Sequence, residues 1–514
     1  MSKTIIIIGA GLAGLSAALQ AAENGCNVKL VSFLPSERAQ SVMAEGGINA
    51  ALNTKDENDS PEEHFTDTIK AACGLADPNA VWGMTQAAPE LVHWLLKLGV
   101  KFNMSGYDDV DLRNFGGQKK KRTAFAQSDT GKQIMTAMID AVRRKEASGM
   151  VERFSHHSFL TLRLCGNICC GCVIRDEYSQ ETVELPGDAV IVATGGMHGL
   201  FGNTTGSLSN TGEVTAELFR LGVPLANGEM IQYHPTTVKC GGKRMLISEA
   251  ARGEGGRLFA MKDGKQWYFM EEKYPELGNL MPRDITAREI WKVSHESEVF
   301  LDMTEISDEI ISNKLSGLAD DCMTYLHKDI RKEPVSVLPG IHYFMGGILV
   351  DEQHRTPIQN LCAAGECCAQ YHGANRLGGN SLLGALYGGR VAAKSACEQA
   401  DVVDLSCATQ IDFPPASQIS EIKQLNKVMQ ETMGVVRNEN TLLNGIQTVQ
   451  ALTGNLPLLG MAVLKSALAR KESRGAHWRE DYPKSNDDDY LKTTVARFDG
   501  KQIQISFVPV PERR

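Results

Sequence analysis

The sequence lacks the features that mark a membrane-spanning or nucleic-acid-binding protein. No apolar run approaches the ~20 residues that a helix needs to cross a bilayer. Aromatic residues make up only 6% of the chain, and the 53 lysines and arginines are outnumbered by 62 aspartates and glutamates, which gives a net charge of −9. The one basic run, at residues 119–122, is too short to form a basic stripe. We therefore predict no nucleic-acid partner.

The start of the chain shows no secretory leader, because residues 4–8, TIIII, already read as a strand. We accordingly expect the 13 cysteines to be reduced thiols in the cytoplasm. Their densest group, CGNICCGC at 165–172, has β-rich flanks, and Gly166 and Asn167 favour a hairpin turn between two strands. We interpret these cysteines as small apolar side chains and predict no metal site.

The first segment of the chain is typical of a dinucleotide-binding unit. In TIIIIGAGLAGL a β-branched strand leads into Gly9, Gly11 and Gly14 with GxGxxG spacing. The first glycine permits a tight turn, the second lets the backbone approach a pyrophosphate, and the third lets the helix pack on the strand. A helix ending near Gly25 and a second strand, NVKLVS, complete the β-α-β context.

Later strand–glycine segments favour FAD over a nicotinamide cofactor. The second strand ends in Ser32, whose hydroxyl could bind ribose where an acidic residue is usual. DAVIVATGG ends in Thr194 and Gly195, and PIQNLCAAGE ends in Glu366. Segments of this kind scattered along 514 residues suggest one extended cofactor bound across a discontinuous domain.

More specific motifs run along nearly the whole chain. They are AEGGINAAL (44–52), QYHPTT (232–237), LISEAARGEGG (246–256), MPRD (281–284), IHYFMGGI (341–348), HGANRLGGNSLLGALYGGR (372–390) and SRGAHWREDYP (473–483). In this order they resemble the flavoprotein subunit of succinate dehydrogenase and fumarate reductase. The related L-aspartate oxidases share much of the pattern, so the motifs indicate the family more firmly than the substrate.

The resemblance implies an α/β fold with three parts. A Rossmann-like FAD-binding domain is interrupted by an α+β capping domain and followed by a C-terminal helical domain. From breaks in the strand–glycine rhythm we place the FAD-binding domain at 1–219 and 341–400 and the capping domain at 220–340. The region 410–514 reads as helices, and Pro457 must start or kink one of them.

The resemblance also implies a set of catalytic and substrate-binding residues. Reduction of a C=C bond between two carboxylates needs a hydride donor, groups that bind the carboxylates, and a proton source. By position in the motifs, Arg283 resembles the proton donor, and Glu254 with Arg252 resembles its relay to solvent. The substrate-binding residues implied in the same way are His234, Ser248, Glu249, His342 and Arg376, of which the two histidines also count as catalytic.

Other matches to the family concern FAD. Glu366 is expected at the ribityl or ribose hydroxyls, and Ser381 and Leu382 beside the isoalloxazine. Glu213 stands where the family usually carries aspartate, as Ser248 stands where threonine is usual. The complete set of expected FAD-binding residues is Gly9, Gly11, Ala13, Gly14, Ser32, Ser41, Glu45, Gly46, Gly47, Thr194, Gly195, Glu213, Glu366, Asn380, Ser381 and Leu382.

The expected substrate is fumarate or succinate. An L-aspartate oxidase places a carboxylate near the substrate ammonium, but the corresponding segment here, NFGGQKKKRTAFAQSDTG at 114–131, offers Phe115, Gln118 and a basic run. Alternatives that stay open are L-aspartate oxidation, reduction of another enoate, and a non-catalytic electron-storage flavoprotein. The family pairs this subunit with an iron–sulfur protein and usually a membrane anchor. We expect the same kind of partner and a cytoplasmic location. Where the partners are anchored in the membrane, they would hold this protein at its inner face.

Gln40 predicts how FAD is attached. In respiratory members of the family the matching position is a histidine bonded covalently to the flavin, and no histidine lies between residues 1 and 63 here. Glutamine has no ring nitrogen to form that bond. We therefore predict noncovalent FAD and, because the covalent link raises the flavin potential, a protein that favours fumarate reduction over succinate oxidation.

Overall fold

The structure is a computed structural model that describes residues 2–106, 109–399, 408, 413 and 418–514. Its strands, numbered in chain order, are β1 (Thr4–Ile8), β2 (Asn27–Ser32), β3 (Ile48–Asn49), β4 (Leu112–Arg113), β5 (Thr123–Ala124), β6 (Val151–Ser155), β7 (His157–Cys165), β8 (Ile168–Asp176), β9 (Thr182–Pro186), β10 (Ala189–Val192), β11 (Leu225–Ala226), β12 (Ile231–Cys240), β13 (Lys243–Leu246), β14 (Arg257–Lys262), β15 (Lys265–Trp267), β16 (Val299–Asp302), β17 (Val335–Ser336), β18 (Leu338–Phe344), β19 (Gly347–Leu349), β20 (Leu361–Ala363), β21 (Cys368–Ala369), β22 (Lys492–Phe498) and β23 (Ile503–Pro509).

The helices are α1 (Leu12–Glu23), α2 (Pro61–Ala71), α3 (Pro78–Leu98), α4 (Thr130–Ala147), α5 (Glu213–Arg220), α6 (Glu249–Gly253), α7 (Phe269–Lys273), α8 (Arg283–Val293), α9 (Asp308–Lys314), α10 (Ser316–Asp321), α11 (Asn380–Gln399), α12 (Ile419–Thr432), α13 (Glu439–Val449), α14 (Asn455–Ala469) and α15 (Asp487–Tyr490). Within the described ranges no helix is both long and apolar enough to cross a membrane.

A five-stranded sheet of order β20-β10-β1-β2-β6 carries the dinucleotide-binding motif. All its pairings are parallel. The side chains of β1 alternate between two cores: Ile5 and Ile7 pack with α1, α4 and α11, whereas Ile6 and Ile8 pack with β7 and β8. A continuous apolar strand is what a sheet covered on both faces requires, so the α/β fold class predicted from the sequence is confirmed.

Helix α11 crosses α1 at close range on one face of this sheet. Gly389 makes the approach possible, since a Cβ there would lie 2.3 Å from the carbonyl oxygen of Ala13. Ser16 Oγ also donates to the Leu386 carbonyl at 2.7 Å. The crossing packs the helix of the N-terminal glycine motif against α11. The parts of the domain before and after the interruption therefore meet at the end of the sheet where the cofactor is expected.

A second core lies in the part of the chain that interrupts this domain. Helices α6 to α10 and the sheet of order β15-β14-β16-β17 enclose a separate apolar cluster, which runs from Ile247 to Val337 and includes only Phe115 from earlier in the chain. An independent core is typical of a domain. The exact limits 1–219, 220–340 and 341–400 stay predictions, and the predicted boundary between 400 and 410 lies outside the described residues.

The C-terminal region is mainly helical from Ile419 to Ala469, and two strands follow at its end. Helices α12, α13 and α14 pack around one core, and Pro457 lies in the first turn of α14, as predicted. The interpretation of the whole 410–514 range as helices is wrong for residues 492–509, where β22 and β23 form an antiparallel hairpin that extends β11. Apolar and polar residues alternate on both sides of Asp499 and Gly500, and this two-residue period favours strands.

The cysteine-rich segment forms the predicted hairpin. Cys165 pairs with Ile168 across the turn at Gly166 and Asn167, and Cys169 and Cys172 lie in an apolar core. Burial raises the pKa of the Cys169 thiol to about 12. The expectation of reduced thiols is wrong at Cys165, which is disulfide-bonded.

Candidate active site

A cavity of about 660 Å³ lies between the carboxyl ends of the parallel strands and the interrupting region. The carboxyl edge of a doubly wound sheet is where such folds bind dinucleotides. The sequence-predicted residues that line it are Gly9, Gly11, Ala13, Ser32, Ser41, Glu45, Gly46, Gly47, Thr194, Gly195, Glu213, His234, Ser248, Glu249, Arg283, His342, Glu366, Arg376, Ser381 and Leu382.

The glycine motif brings the start of α1 to the cavity wall. Gly9 has φ of +112°, and a Cβ there would lie 2.2 Å from the Ala193 carbonyl oxygen. Gly14 lies behind the wall, where a Cβ would lie 1.8 Å from the Gly9 carbonyl oxygen. The helix therefore begins at Gly11 with its backbone exposed to the cavity, and a helix N-terminus is suited to bind phosphate.

Several buried polar atoms along the cavity have no hydrogen-bond partner among the described residues. They include Ser32 Oγ at the end of β2 and Glu45 Oε2. Glu366 accepts from the Phe344 backbone amide at 3.1 Å, and burial raises its pKa to about 7. Burial also raises the pKa of Glu213. A hydroxyl at the ribose position and unpaired polar atoms in a long cleft fit an FAD molecule.

Asn380 is placed differently from the other predicted FAD residues. Its side-chain oxygen accepts from Asn49 Nδ2 at 2.7 Å and lies 2.9 Å from His64 Nε2, while its Nδ2 donates to Thr68 at 3.0 Å. These bonds occupy the buried amide, so Asn380 stabilises the packing of α2 against α11. The prediction that it contacts FAD stays untested.

Gln40 lies in a short 3₁₀ turn, Gln40–Met43, and lines the cavity. His64, the first histidine in the chain, is fully buried against Asn380 and lies outside the cavity lining. Of the described lining residues, the histidines are His157, His234 and His342. The position that the sequence singled out therefore does face the expected cofactor cleft.

Arg283 and Glu249 form the most tightly bonded pair at the site. Arg283 Nε and one terminal nitrogen donate to the same carboxylate oxygen of Glu249, at 2.8 and 2.6 Å. The other oxygen of Glu249 accepts from the Gly116 amide at 3.0 Å and lies 3.5 Å from an Arg252 nitrogen. The two arginines hold the pKa of Glu249 below its ordinary value, against the opposing effect of its burial.

The structure places Glu249, and not Glu254, between the two arginines expected to relay protons. Glu249 and Arg252 are three residues apart on α6 and share a face, whereas Glu254 follows the end of that helix. The Glu254 carboxylate pairs with Lys314 at 3.1 Å. Arg252 is buried behind the cavity wall, where it donates to the Asn279 carbonyl at 2.7 Å.

The two predicted substrate histidines face each other with ring centroids 5.2 Å apart. His342 Nδ1 is 2.8 Å from the Thr205 hydroxyl, and His234 Nδ1 faces the Thr236 backbone, which leaves a buried Nε2 with no partner among the described residues. Burial, followed by the charge of Arg283, lowers the pKa of both rings well below the ordinary value. Both are neutral at pH 7 and can offer one N–H each.

Arg376 completes the set. Its guanidinium lies 4.3 Å from the centre of the Tyr343 ring and donates to the Leu377 carbonyl at 3.1 Å. Its buried Nε has no partner among the described residues. Ser248 caps α6, since its hydroxyl oxygen accepts a hydrogen bond from the Ala250 backbone amide at 3.4 Å. Arg283, Arg376, both histidines and Ser248 thus all line the cavity, and Arg376 Nε and His234 Nε2 lack partners among the described residues.

Sequence reasoning missed two residues of this site, Gln232 and Tyr343. Both lie inside motifs quoted for the family, QYHPTT and IHYFMGGI, so a signal was available. Gln232 accepts from Arg283 at 3.0 Å and from Arg376 at 2.9 Å. The contact between these residues joins β12 to α8 and to the segment before α11, and spacing along the chain does not reveal it.

Comparison with known proteins agrees with this site. An FAD binding domain matches residues 4–382, and a fumarate reductase flavoprotein C-terminal domain matches residues 452–513. The succinate dehydrogenase flavoprotein subunit of Bacillus subtilis is 38% identical, with 100% of this chain and 98% of that protein covered. The 8-methylmenaquinol:fumarate reductase flavoprotein subunit of Wolinella succinogenes is 32% identical, with 100% and 92% covered.

Solved structures agree as well. A FrdA mutant of E. coli quinol fumarate reductase superposes with a TM-score of 0.90 at 27% identity, covering 99% of this chain and 97% of that one. Mycobacterium smegmatis Sdh1 in complex with UQ1 gives a TM-score of 0.84 at 29% identity, covering 100% and 95%. The chain therefore belongs to the succinate dehydrogenase and fumarate reductase flavoprotein family and is an FAD-dependent oxidoreductase of that type.

Proposed function

We propose that this protein is the catalytic flavoprotein subunit of a complex that interconverts fumarate and succinate, working as a fumarate reductase with noncovalent FAD. The observation that carries the proposal is the convergence of Arg283, Arg376, His234 and His342 on the cofactor cavity, where Arg376 Nε and His234 Nε2 lack hydrogen-bond partners among the described residues. Two guanidinium groups and two neutral imidazoles suit a small molecule with a carboxylate at each end.

The cofactor-binding part of the proposal rests on the long arm of the cavity. The N-terminus of α1 would hold the pyrophosphate, Ser32 the ribose, Glu366 the ribityl or ribose hydroxyls, and Ser381 with Leu382 the isoalloxazine. When bound there, FAD supplies or accepts the hydride. Gly46 lets the Phe115 ring pack against the loop at the cavity wall, since a Cβ on Gly46 would meet that ring at 2.9 Å.

Substrate binding follows from the unused donors. Arg376 Nε and His234 Nε2 are buried and unpaired among the described residues. When His234 Nδ1 accepts from the Thr236 backbone amide at 3.3 Å, the ring proton is on Nε2, so a carboxylate that accepts from Nε2 and from Arg376 Nε satisfies both. His342 and the Ser248 hydroxyl can bind the other carboxylate. Charge-assisted bonds of this kind orient the substrate and stabilise negative charge that develops on the carbon next to a carboxylate.

We assign the proton transfer to Arg283. A guanidinium hardly ever loses its proton, so donation to the substrate carbon must be matched by a proton that returns to Arg283 through Glu249, which accepts its hydrogen bond at 2.6 Å. Because Glu249 is an ionised carboxylate, it must receive a proton from Arg252 as it passes one to Arg283, and Arg252 must regain one from solvent. Arg252 lies next to Glu249 and continues the path. The relay is therefore Arg283–Glu249–Arg252, and Glu249 takes the role first assigned to Glu254. Over the whole reaction fumarate gains two electrons and two protons.

The four residues of the basic run, Lys119 to Arg122, are all described by the structure and lie outside the cavity lining. Arg122 is fully buried and pairs with Asp59 and Asp67 at 2.8 and 2.9 Å, and Lys121 lies 3.7 Å from Glu57. Phe115 lines the cavity. Glu249 is engaged by two arginines, and burial raises the pKa of Glu45 to about 8, so neither carboxyl group is a free anion for an amino group at neutral pH. This favours fumarate over L-aspartate.

One anaerobic experiment tests the activity. The purified flavoprotein is bleached with dithionite, excess reductant is removed, and fumarate is added. We expect the flavin absorbance to return with formation of one succinate per flavin, while L-aspartate added to the oxidised protein causes no bleaching. No reoxidation by fumarate, together with reoxidation by another enoate, would reassign the substrate. Reoxidation by neither compound would favour the electron-storage alternative.

Two further measurements test attachment and direction. Acid precipitation should release all FAD into the supernatant, because Gln40 cannot form the covalent bond; flavin fluorescence on the denatured protein band would contradict this. The native complex should reduce fumarate faster than it oxidises succinate. Isolating that complex would also identify the iron–sulfur partner and any membrane anchor, which we propose by analogy with the relatives' complexes.

A further inference from the structure

Gln232 bridges the two arginines that face the substrate end of the cavity. The residue lies on β12 with 0% of its surface exposed. Its side-chain oxygen accepts from a terminal nitrogen of Arg283 at 3.0 Å and from one of Arg376 at 2.9 Å. Its side-chain nitrogen donates to Asn375 Oδ1 at 3.0 Å and to the Arg376 carbonyl at 2.8 Å. Each polar atom of the amide therefore makes two bonds.

The Gln232 bridge lies between two guanidinium groups that repel each other. Arg283 and Arg376 both line the cavity, and each cation disfavours the other in a site with little water. Burial, followed by the nearby Arg283 charge, lowers the pKa of Arg376 to about 9. A neutral amide oxygen that accepts one N–H from each guanidinium fixes their separation without cancelling either charge.

The neutrality of residue 232 also sets the charge of the site. Within the hydrogen-bonded cluster the three guanidinium groups of Arg252, Arg283 and Arg376 face the single carboxylate of Glu249. That leaves an excess of two positive charges, which matches a dicarboxylate dianion. A carboxylate in place of the Gln232 amide would accept the same two bonds but remove half of that excess.

We propose that Gln232 is a positioning residue that spaces Arg283 and Arg376 and keeps the site selective for dianionic over monoanionic substrates. The inference rests on the proposed function and deepens it. Gln232 acts through the arginines: all four bonds of its amide go to protein groups, so substrate is recognised by the guanidinium groups whose geometry and charge Gln232 preserves.

The matched variants are Gln232→Glu, which keeps the shape and adds a charge, and Gln232→Met, which keeps the length and removes both hydrogen-bonding atoms. Gln370→Met is the control, because Gln370 is also buried and donates to the Asp351 carbonyl at 2.6 Å, away from the cavity lining. All are made as FAD-loaded protein. The readouts are the dissociation constants of malonate, a dianion, and acetate, a monoanion, measured from the flavin absorbance change, alongside kcat and KM for fumarate.

For Gln232→Glu we expect malonate affinity to fall at least about tenfold with acetate affinity changed less than about threefold, so that the ratio of the two drops. For Gln232→Met we expect kcat to fall about tenfold or more with a smaller change in KM, because Arg283 loses its alignment. Gln370→Met should match the wild type in the malonate-to-acetate ratio and in kcat.

An unchanged malonate-to-acetate ratio in Gln232→Glu that retains FAD would overturn the proposal. If Gln232→Glu does not fold, an unchanged kcat in Gln232→Met would overturn it equally. Failure of the proposed function would give another result. Wild-type protein would bind malonate in preference to acetate and yet leave fumarate unreduced. The malonate-to-acetate ratio of the variants would then still test Gln232. Wild-type protein that shows no preference for malonate would overturn the dianion selectivity itself.

Discussion

Two groups of buried arginines in this protein are built in opposite ways. The first, the C-terminal ion cluster, consists of Glu229, Arg470, Glu472, Arg474 and Asp487. The Arg470 guanidinium makes five hydrogen bonds, which is every N–H it has: to Glu229, Glu472, the Tyr490 and Lys492 carbonyls, and Thr494. Arg474 binds both oxygens of Glu472 and also Asp487.

The second, the active-site arginine cluster, consists of Gln232, Glu249, Arg252, Arg283 and Arg376. Here guanidinium groups outnumber carboxylates, and buried donors on Arg252 and Arg376 lack hydrogen-bond partners among the described residues. Leaving a buried donor unpaired costs stability. The Arg470 donors are all paired, as a structural role requires, whereas Arg376, which lines the cavity, has a buried Nε without a partner among the described residues.

The largest expected effect is on catalysis at Arg283. Arg283→Lys keeps a positive charge but loses the two-nitrogen contact with Glu249, so we expect kcat to fall by about 10²- to 10⁴-fold with FAD content and melting temperature close to wild type. Steady-state fumarate reduction measures it, and Arg143→Lys on the exposed surface is the control. Near-normal turnover by Arg283→Lys would remove Arg283 from the donor role.

The C-terminal ion cluster should respond in the opposite way. Arg470→Met leaves Glu229 buried without its directly bonded cation and leaves Glu472 with Arg474 alone. We expect this to lower the free energy of unfolding by about 3–5 kcal/mol, with kcat per folded molecule unchanged. Thermal unfolding monitored by circular dichroism measures it. Arg143→Met, which breaks an exposed pair with Glu37, should change the free energy by less than about 1 kcal/mol. Loss of kcat without loss of stability in Arg470→Met would contradict a purely structural role for the C-terminal ion cluster.

A dicarboxylate should stabilise the protein through the unsaturated cluster. At 100 times its dissociation constant a ligand adds about 2.7 kcal/mol to the stability of the state that binds it. We expect malonate to raise the melting temperature of wild-type protein but not of Arg376→Met, and to raise that of Arg470→Met as much as wild type. Equal stabilisation of Arg376→Met would place the dicarboxylate elsewhere.

The pH dependence of stability reports on the buried carboxyl group of Glu45. Burial, followed by the charge of Asp321, raises the pKa of Glu45 from 4.5 to about 8. The folded protein then holds a proton that the unfolded chain has lost, so this stabilisation is complete below pH 4.5 and is lost as the pH rises through about 8. The slope is at most about 1.4 kcal/mol per pH unit. Melting temperatures between pH 5 and 8 should fall less steeply in Glu45→Gln, while exposed Glu37→Gln should follow the wild type.

Much of the fold was predictable because the signals were local. The strand, the three glycines and the helix at residues 4–23 form one continuous unit, and the structure reproduces it with a sharp turn at Gly9. The hairpin at Gly166 and Asn167 was found for the same reason. The C-terminal hairpin was missed, although residues 492–509 alternate, because the preceding helical pattern was extended to the end of the chain.

The site was predicted less completely, because its bonds join distant segments. Glu249 and Glu254 lie in one short motif, and only the end of α6 after Gly253 decides that Glu249 faces Arg283 while Glu254 faces Lys314. Asn380 looked like a cofactor residue from its motif, but its amide is occupied by Asn49, His64 and Thr68.

The sequence by itself determined the family, the cofactor class and the missing histidine at position 40, because motif spacing and residue chemistry are properties of the chain. Only the tertiary structure decided which charges are paired. Gln232, Arg283 and Arg376 are separated by up to 144 residues, and whether a buried donor is satisfied depends on what folding brings within about 3 Å of it. That condition distinguishes Arg470, whose five N–H groups are all bonded, from Arg376, whose buried Nε has no partner among the described residues.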